Sequence, residues 1–152
     1  MIETKNISVF DSGCEALVNP INCLGKMGKG LALEFKKRYP EMFSHYVNLC
    51  KSHQVQIGKV YGYPTYHLFK SVIIIGFPTK LEYWKPSKIE YIEKGIDSLV
   101  ELIRKSRIKS IAIPKLGCGY GGLDWINVKE LILEKLSEFK DDKEIKIIIC
   151  EY

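Results

Sequence analysis

Glu15-Ala16-Leu17-Val18, a short apolar run, leads into the glycine-rich Cys23-Leu24-Gly25-Lys26-Met27-Gly28-Lys29-Gly30 and then into Leu31 to Tyr39. In that last stretch Leu31, Phe35 and Arg38 recur at helical spacing until Pro40 stops the pattern. Strand, glycine turn and helix in this order point unpaired backbone N–H groups and the positive end of a helix dipole at one place, which suits a phosphate. A second loop of the same kind, Gly117-Cys118-Gly119-Tyr120-Gly121-Gly122, follows the apolar segment Lys109 to Ile113. Two such loops suit a diphosphate held between them; the plainer alternative is that both are only tight turns.

Working outward, Ile2 to Phe10 reads as an opening strand with partial alternation, and Glu41 to Lys51 as a second helix with Phe43, Tyr46, Val47 and Cys50 on one side. Lys59-Val60-Tyr61 and Ser71 to Phe77 read as strands, the latter apolar on both faces and ended by Pro78. Lys88 to Ser106 carries Ile89, Ile92, Ile96, Leu99, Val100 and Ile103 at three- and four-residue steps, the stripe of an amphipathic helix. Lys109 to Ile113 is a strand, Asp124 a candidate N-cap, Trp125 to Phe139 a helix, and Ile145 to Cys150 a last buried strand. Strands alternating with helices at this rhythm predict an α/β fold: a three-layer α/β/α domain with a mixed, largely parallel central sheet, one domain over residues 1–152. Ligands in such sheets sit beyond the carboxyl ends of the strands. Both glycine loops and Pro78-Thr79-Lys80 occupy that kind of position.

Composition narrows the function. The 152 residues are 46% hydrophobic and 27% charged, which argues against disorder or a fibrous role. The apolar run Val72 to Ile75 is far too short to span a bilayer, and the first residues lack the apolar core of a signal peptide, so a cytoplasmic protein with no membrane partner is expected. Five cysteines without a CxxC pair and three histidines without HxxxH spacing indicate neither a disulfide framework nor a zinc site, and no metal is expected. Cys23 and Cys118 lie inside the glycine loops, where each could line a ligand, but neither has an adjacent histidine to activate it. The net charge is +5; Lys26, Lys29, Lys36, Lys37 and Arg38 surround the first loop, facing either phosphates or water.

Two nucleotide motifs are excluded. The stretch Gly25 to Gly30 lacks the terminal Lys-Ser/Thr of a Walker A loop, so ATP hydrolysis loses its support. Gly117, Gly119 and Gly122 satisfy GxGxxG, but only about 35 residues remain after Gly117, too few for the further βα units of a dinucleotide fold. No redox cofactor is indicated.

Ala16-Leu17-Val18-Asn19-Pro20-Ile21-Asn22 resembles the strand and asparagine signature of macrodomains, the ADP-ribose-binding family. Met27-Gly28-Lys29-Gly30-Leu31-Ala32-Leu33-Glu34-Phe35-Lys36-Lys37 narrows the resemblance to the branch of DarG-like antitoxin glycohydrolases and the terminal ADP-ribose glycohydrolases. Gly76-Phe77-Pro78-Thr79-Lys80 and Pro114-Lys115-Leu116, running on through the second loop to Leu123-Asp124-Trp125, resemble the DarG-like members in particular. The resemblance implies that Asn22 contacts the distal ribose, that Lys26, Met27, Gly28, Lys29 and Gly30 wrap it, and that Gly117, Cys118, Gly119, Tyr120, Gly121 and Gly122 bind the diphosphate. Asn19, Thr79, Pro114 and Leu116 count with the binding residues, and Lys80 matches the lysine on which catalysis depends in this branch.

Two departures carry information. Many macrodomains place an aspartate at the end of the first strand to read the adenine amino group; here Ser8, followed by Val9, stands at that place and can accept the bond without charge. Terminal glycohydrolases carry an aspartate where this chain has Gly121, which points away from a carboxylate-assisted mechanism. The implied activity is removal of mono-ADP-ribose by cleavage at C1 of the distal ribose, without cofactor. Lys80 would be nucleophile or base, made less basic by Lys26, Lys29 and Lys115. The implied partners are ADP-ribose or an ADP-ribosylated macromolecule, single-stranded DNA modified on thymine foremost, and a cognate ADP-ribosyltransferase toxin. Alternatives in the same pocket are a binding module without chemistry and a hydrolase of protein-linked ADP-ribose or small ADP-ribose esters.

Overall fold

Apolar strands and amphipathic helices in alternation assemble into one sheet with helices on both faces. In the computed structural model, which describes residues 1–152, the elements in chain order are β1 (Ile2–Lys5), β2 (Ala16–Asn22), α1 (Gly30–Arg38), α2 (Pro40–Lys51), β3 (Tyr61–His67), β4 (Lys70–Lys80), α3 (Ile89–Ser106), β5 (Ser110–Ile113), α4 (Trp125–Lys135) and β6 (Lys146–Cys150). The six strands lie in the order β1-β6-β5-β2-β4-β3, all neighbours parallel except the β3/β4 edge pair. The three-layer α/β/α reading holds, with β3 as the antiparallel member of the mixed sheet.

Side-chain alternation divides the core. Ala16, Val18, Ile75, Phe77, Ile111, Ile113, Ile147 and Ile149 face the layer that contains α3 and α4, while Leu17, Ile21, Ile74, Ala112 and Ile148 face α1 and α2. Covered on both sides, the central strands are near-continuous apolar runs, as parallel strands between helices must be. The stripe predicted for α3 is buried at Ile92, Ile96, Leu99, Val100 and Ile103. Gly95 on the same face lets the Phe77 ring approach so closely that a Cβ there would collide with it.

Four boundaries differ from the sequence expectation. The opening strand stops at Lys5, and Val9–Asp11 forms a 3-10 turn whose N-cap is Ser8, its Oγ accepting the Phe10 N–H at 3.3 Å. Pro78 does not end β4, which continues to Lys80. Ile73 donates its N–H to Glu15 on the β2 side, so by the two-residue period the nitrogen of Pro78 faces the β3 side, where pairing has already stopped at Gly76. A proline there removes no ladder bond. The strand expected at Lys59 to Tyr61 instead begins at Tyr61 and runs to His67. The helix expected to reach Phe139 ends at Lys135, followed by a 3-10 turn at Ser137–Phe139.

Candidate active site

The parallel strands β2 and β4 leave the sheet side by side. After a register shift between Ile21 and Asn22, Asn22 pairs with Lys80, and the N–H of Cys23 donates to the Leu81 carbonyl at 3.2 Å. The first glycine loop therefore springs from the point where the candidate catalytic lysine emerges. Asn22 is almost wholly buried, and its amide is occupied by its own chain. The Oδ1 atom accepts from the Leu24 N–H (2.9 Å), the Lys26 N–H (3.4 Å) and the Tyr46 hydroxyl (2.9 Å), while Nδ2 donates to the Lys26 carbonyl at 2.7 Å. With its oxygen saturated, Asn22 keeps one N–H for a ligand. Its observed work is to hold the turn that carries Lys26 to Gly30.

That loop delivers the chain to α1. Lys29 occupies the N-cap position in an extended conformation with no side-chain cap bond, so the first N–H groups of a nine-residue helix stay open to an anion. The second loop closes from the other side. Gly117 has φ +73°, and a Cβ there would stand 2.7 Å from Leu123 Cδ1 and 3.1 Å from Ser87 Oγ. Tyr120 reaches across to the first loop: its ring edge lies 3.4 Å from where a Cβ of Gly30 would be, and Lys29 Nζ sits 5.5 Å from the ring centroid. The two loops are thus in contact, as a clamp on a diphosphate requires.

Lys80 is partly exposed at this junction. Its Nζ donates to the Tyr83 carbonyl at 3.3 Å, and its Cε lies 4.0 Å from where a Cβ on Gly121 would stand. Burial, then the positive charge of Lys29, hold its ammonium below the usual lysine range. Of the three lysines expected to act on it, Lys29 is the one whose charge reaches it. Ser87, which nothing in the sequence marked beyond a place before a helix, fastens the arrangement. Its Oγ donates to the Thr79 carbonyl at 2.5 Å and its N–H to the Gly121 carbonyl at 2.8 Å, tying the lysine strand to the second loop.

Beside α1 a cleft of about 310 Å³ is lined by Ser8, Val9, Leu31, Glu34, Pro114 and Tyr152, among others. Ser8 and Val9 are where an adenine reader was expected; Leu31 and Glu34 belong to the stretch that carries the resemblance but were not among the expected binding residues, and neither was Tyr152. A larger hollow of about 520 Å³ along α3 gathers neither glycine loop. Asn19, Met27, Thr79 and Leu116 are buried: Asn19 Nδ2 points to Met27 Sδ at 3.8 Å while its Oδ1 has no hydrogen-bond partner, and Thr79 Oγ1 donates to the Ile21 carbonyl at 3.5 Å. Burial raises the thiols of Cys23, to about 11, and Cys118, which keeps both protonated and unreactive near neutral pH. Asp124 caps α4 through the Ile126 N–H at 3.2 Å.

Comparison with known proteins gives this geometry a context. A Mycobacterium tuberculosis protein named DNA ADP-ribosyl glycohydrolase is 47% identical over 141 residues, 93% of this chain and 40% of that protein. A Thermosipho africanus DNA ADP-ribosyl transferase–DNA ADP-ribosyl glycohydrolase fusion protein is 32% identical over 157 residues, 90% of this chain and 40% of the fusion. The chain thus spans about two fifths of the length of these curated relatives. Among solved structures, the macrodomain of Mycobacterium tuberculosis DarG superposes with a TM-score of 0.92 at 41% identity, covering 100% of this chain and 99% of that one. Thermosipho africanus DarTG in complex with ADP-ribose gives 0.87 at 32% identity, covering 97% of this chain and 41% of that one. The Macro domain family model matches residues 18–132, most of the sheet and both glycine loops, and the chain belongs to the macrodomain family.

Proposed function

We propose that this macrodomain is an ADP-ribosyl glycohydrolase that removes single ADP-ribose units from DNA, with thymine as the modified base, and so opposes a cognate ADP-ribosyltransferase. The observation that carries the reading is the position of Lys80: it stands where the two contacting loops meet, less basic than an ordinary lysine and next to the expected place of the distal ribose. The names of the mycobacterial and Thermosipho relatives support a DNA-linked substrate and a transferase counterpart.

In the proposed reaction, adenosine lies in the cleft beside Ser8 and Glu34, and the diphosphate spans the open N–H groups of α1 and the second loop. The bond between C1 of the distal ribose and the thymine nitrogen breaks; water supplies the hydroxyl at C1 and the proton on the released base. Neutral Lys80 takes the proton from the attacking water, or adds to C1 of the ring-opened sugar before water displaces it. Borohydride trapping separates the two, since only the second route leaves a reducible imine.

The deciding experiment incubates the protein with ADP-ribosylated single-stranded DNA and, separately, with glutamate-modified protein, alongside Lys80→Ala. Release from the DNA that the variant loses is the expected result. Equal release by the variant removes Lys80 from the chemistry, and calorimetric binding of ADP-ribose without turnover on either conjugate leaves a binding module.

A further inference from the structure

The segment after β4 carries two large aromatic side chains that stand more than half exposed. Tyr83 and Trp84 are 51% and 61% exposed, and their rings meet edge to face with centroids 4.8 Å apart. They belong to the rim of the candidate site, because the carbonyl of Tyr83 accepts from Lys80 Nζ and Ser87 ties the end of the same segment to Gly121. Lys85 and Lys88 follow the pair and are exposed, and Lys26 and Lys29 stand exposed on the first loop. One carboxylate, Glu82, lies within the segment and is paired with Lys85 at 3.3 Å.

Exposed apolar rings beside lysines have a restricted set of partners. Protein interfaces enrich aromatic residues but deplete lysine, whereas single-stranded nucleic acid calls for both: a ring for each unstacked base and a cation near each phosphate. Duplex DNA keeps its bases stacked, so a ring gains base contact there only by wedging between steps at the cost of unstacking them. Resting on the proposal that DNA carries the substrate, we propose that Tyr83 and Trp84 form a stacking platform for bases flanking the modified nucleotide on a single strand, with Lys85 and Lys88 along its phosphates. The platform holds the carrier strand; the glycine loops hold the ADP-ribose.

The test uses Trp84→Ala and Trp84→Phe, whose exposed position spares the core. Kinetics are measured on an ADP-ribosylated 12-nucleotide single strand and on ADP-ribosyl-thymidine, and anisotropy follows binding of unmodified, labelled oligothymidylate. For Trp84→Ala, KM on the oligonucleotide rises roughly tenfold, in keeping with the loss of one base–aromatic stack, and kcat is kept. The nucleoside reaction is unchanged, oligothymidylate binding weakens in parallel, and Trp84→Phe restores most of both. An unchanged oligonucleotide KM, or an equal loss on both substrates, overturns the platform. So does a KM loss confined to glutamate-modified protein. If wild-type protein releases ADP-ribose from neither DNA substrate, the functional reading fails, and the anisotropy comparison still decides the platform on its own.

Discussion

Asn22 and Lys80 are partners across the β2/β4 ladder, at the carboxyl ends of two adjacent parallel strands and just past an irregularity in their register. The pairing sets the residue that braces the first loop against the residue proposed to act on the sugar, with no intervening flexible segment. Sites built on strand ends in this way inherit the rigidity of the sheet. A disturbance of Asn22 therefore reaches both loop and lysine.

Replacing Asn22 with alanine strips four internal hydrogen bonds from the loop base and leaves the Tyr46 hydroxyl with only the Asn22 carbonyl as acceptor. Unfolding by denaturant should show a loss of roughly 1–3 kcal/mol, the cost of leaving buried polar groups unsatisfied. Calorimetry should show weaker ADP-ribose binding as well. Tyr46→Phe, which removes one of those donors while keeping the ring, should fall between wild type and Asn22→Ala in both measurements. Full retention of stability by Asn22→Ala would mean that the loop holds its shape without the brace.

The pH dependence follows from the surroundings of Lys80. In the proposed reaction its neutral form is the reactive one, so activity should rise with pH through its titration, and burial together with the Lys29 charge should place that rise below the ordinary lysine range. Lys29→Gln removes the neighbouring positive charge, which makes the ammonium easier to keep. The inflection in a kcat–pH profile then moves upward and activity near pH 7 falls, while the contribution from burial remains. An inflection at the same pH in the variant would show that Lys29 exerts no control.

Much of this architecture was legible because parallel strands covered on both faces must be apolar and amphipathic helices must carry a stripe; Val72 to Phe77 and Ile92 to Ile103 leave little choice. β3 was obscured by Gly62 and Pro64, tolerated only because the strand lies at the sheet edge, and the extension of β4 through Pro78 depends on which side its nitrogen faces. The glycine loops stood out by composition, and the fold brings them together through Tyr120 and Lys29. The bracing by Asn22 did not show, since it depends on Tyr46 from the helix α2, 24 positions away. Ser87 gave no signal either: its role arises from what the fold sets beside it.

A paired substitution tests the second loop. Gly117 and Gly119 both have positive φ, +73° and +66°, but a Cβ at Gly117 would collide with Leu123 whereas nothing lies within 4 Å of one at Gly119. Gly119→Ala should cost about 1–2 kcal/mol, the left-handed backbone penalty alone. Gly117→Ala adds the clash and should lose more stability and, in calorimetry, most of its ADP-ribose affinity. Equal effects would mean that backbone strain, not the space around Gly117, governs the loop.

Ser87→Ala isolates positioning from chemistry. The hydroxyl touches no reacting atom, yet it joins the Thr79 carbonyl, one residue before Lys80, to the segment that holds Gly121. Losing it leaves a buried carbonyl unpaired, a cost of roughly 1–3 kcal/mol that thermal or denaturant unfolding would register. If the clamp aims Lys80, kcat on ADP-ribosylated DNA falls roughly ten- to hundredfold, as small misplacements of reacting groups do, while the calorimetric Kd for ADP-ribose stays within about twofold. A merely structural role would weaken binding and turnover together. Unchanged kcat with reduced stability would assign Ser87 to the fold and leave the aim of Lys80 to the β2/β4 pairing alone.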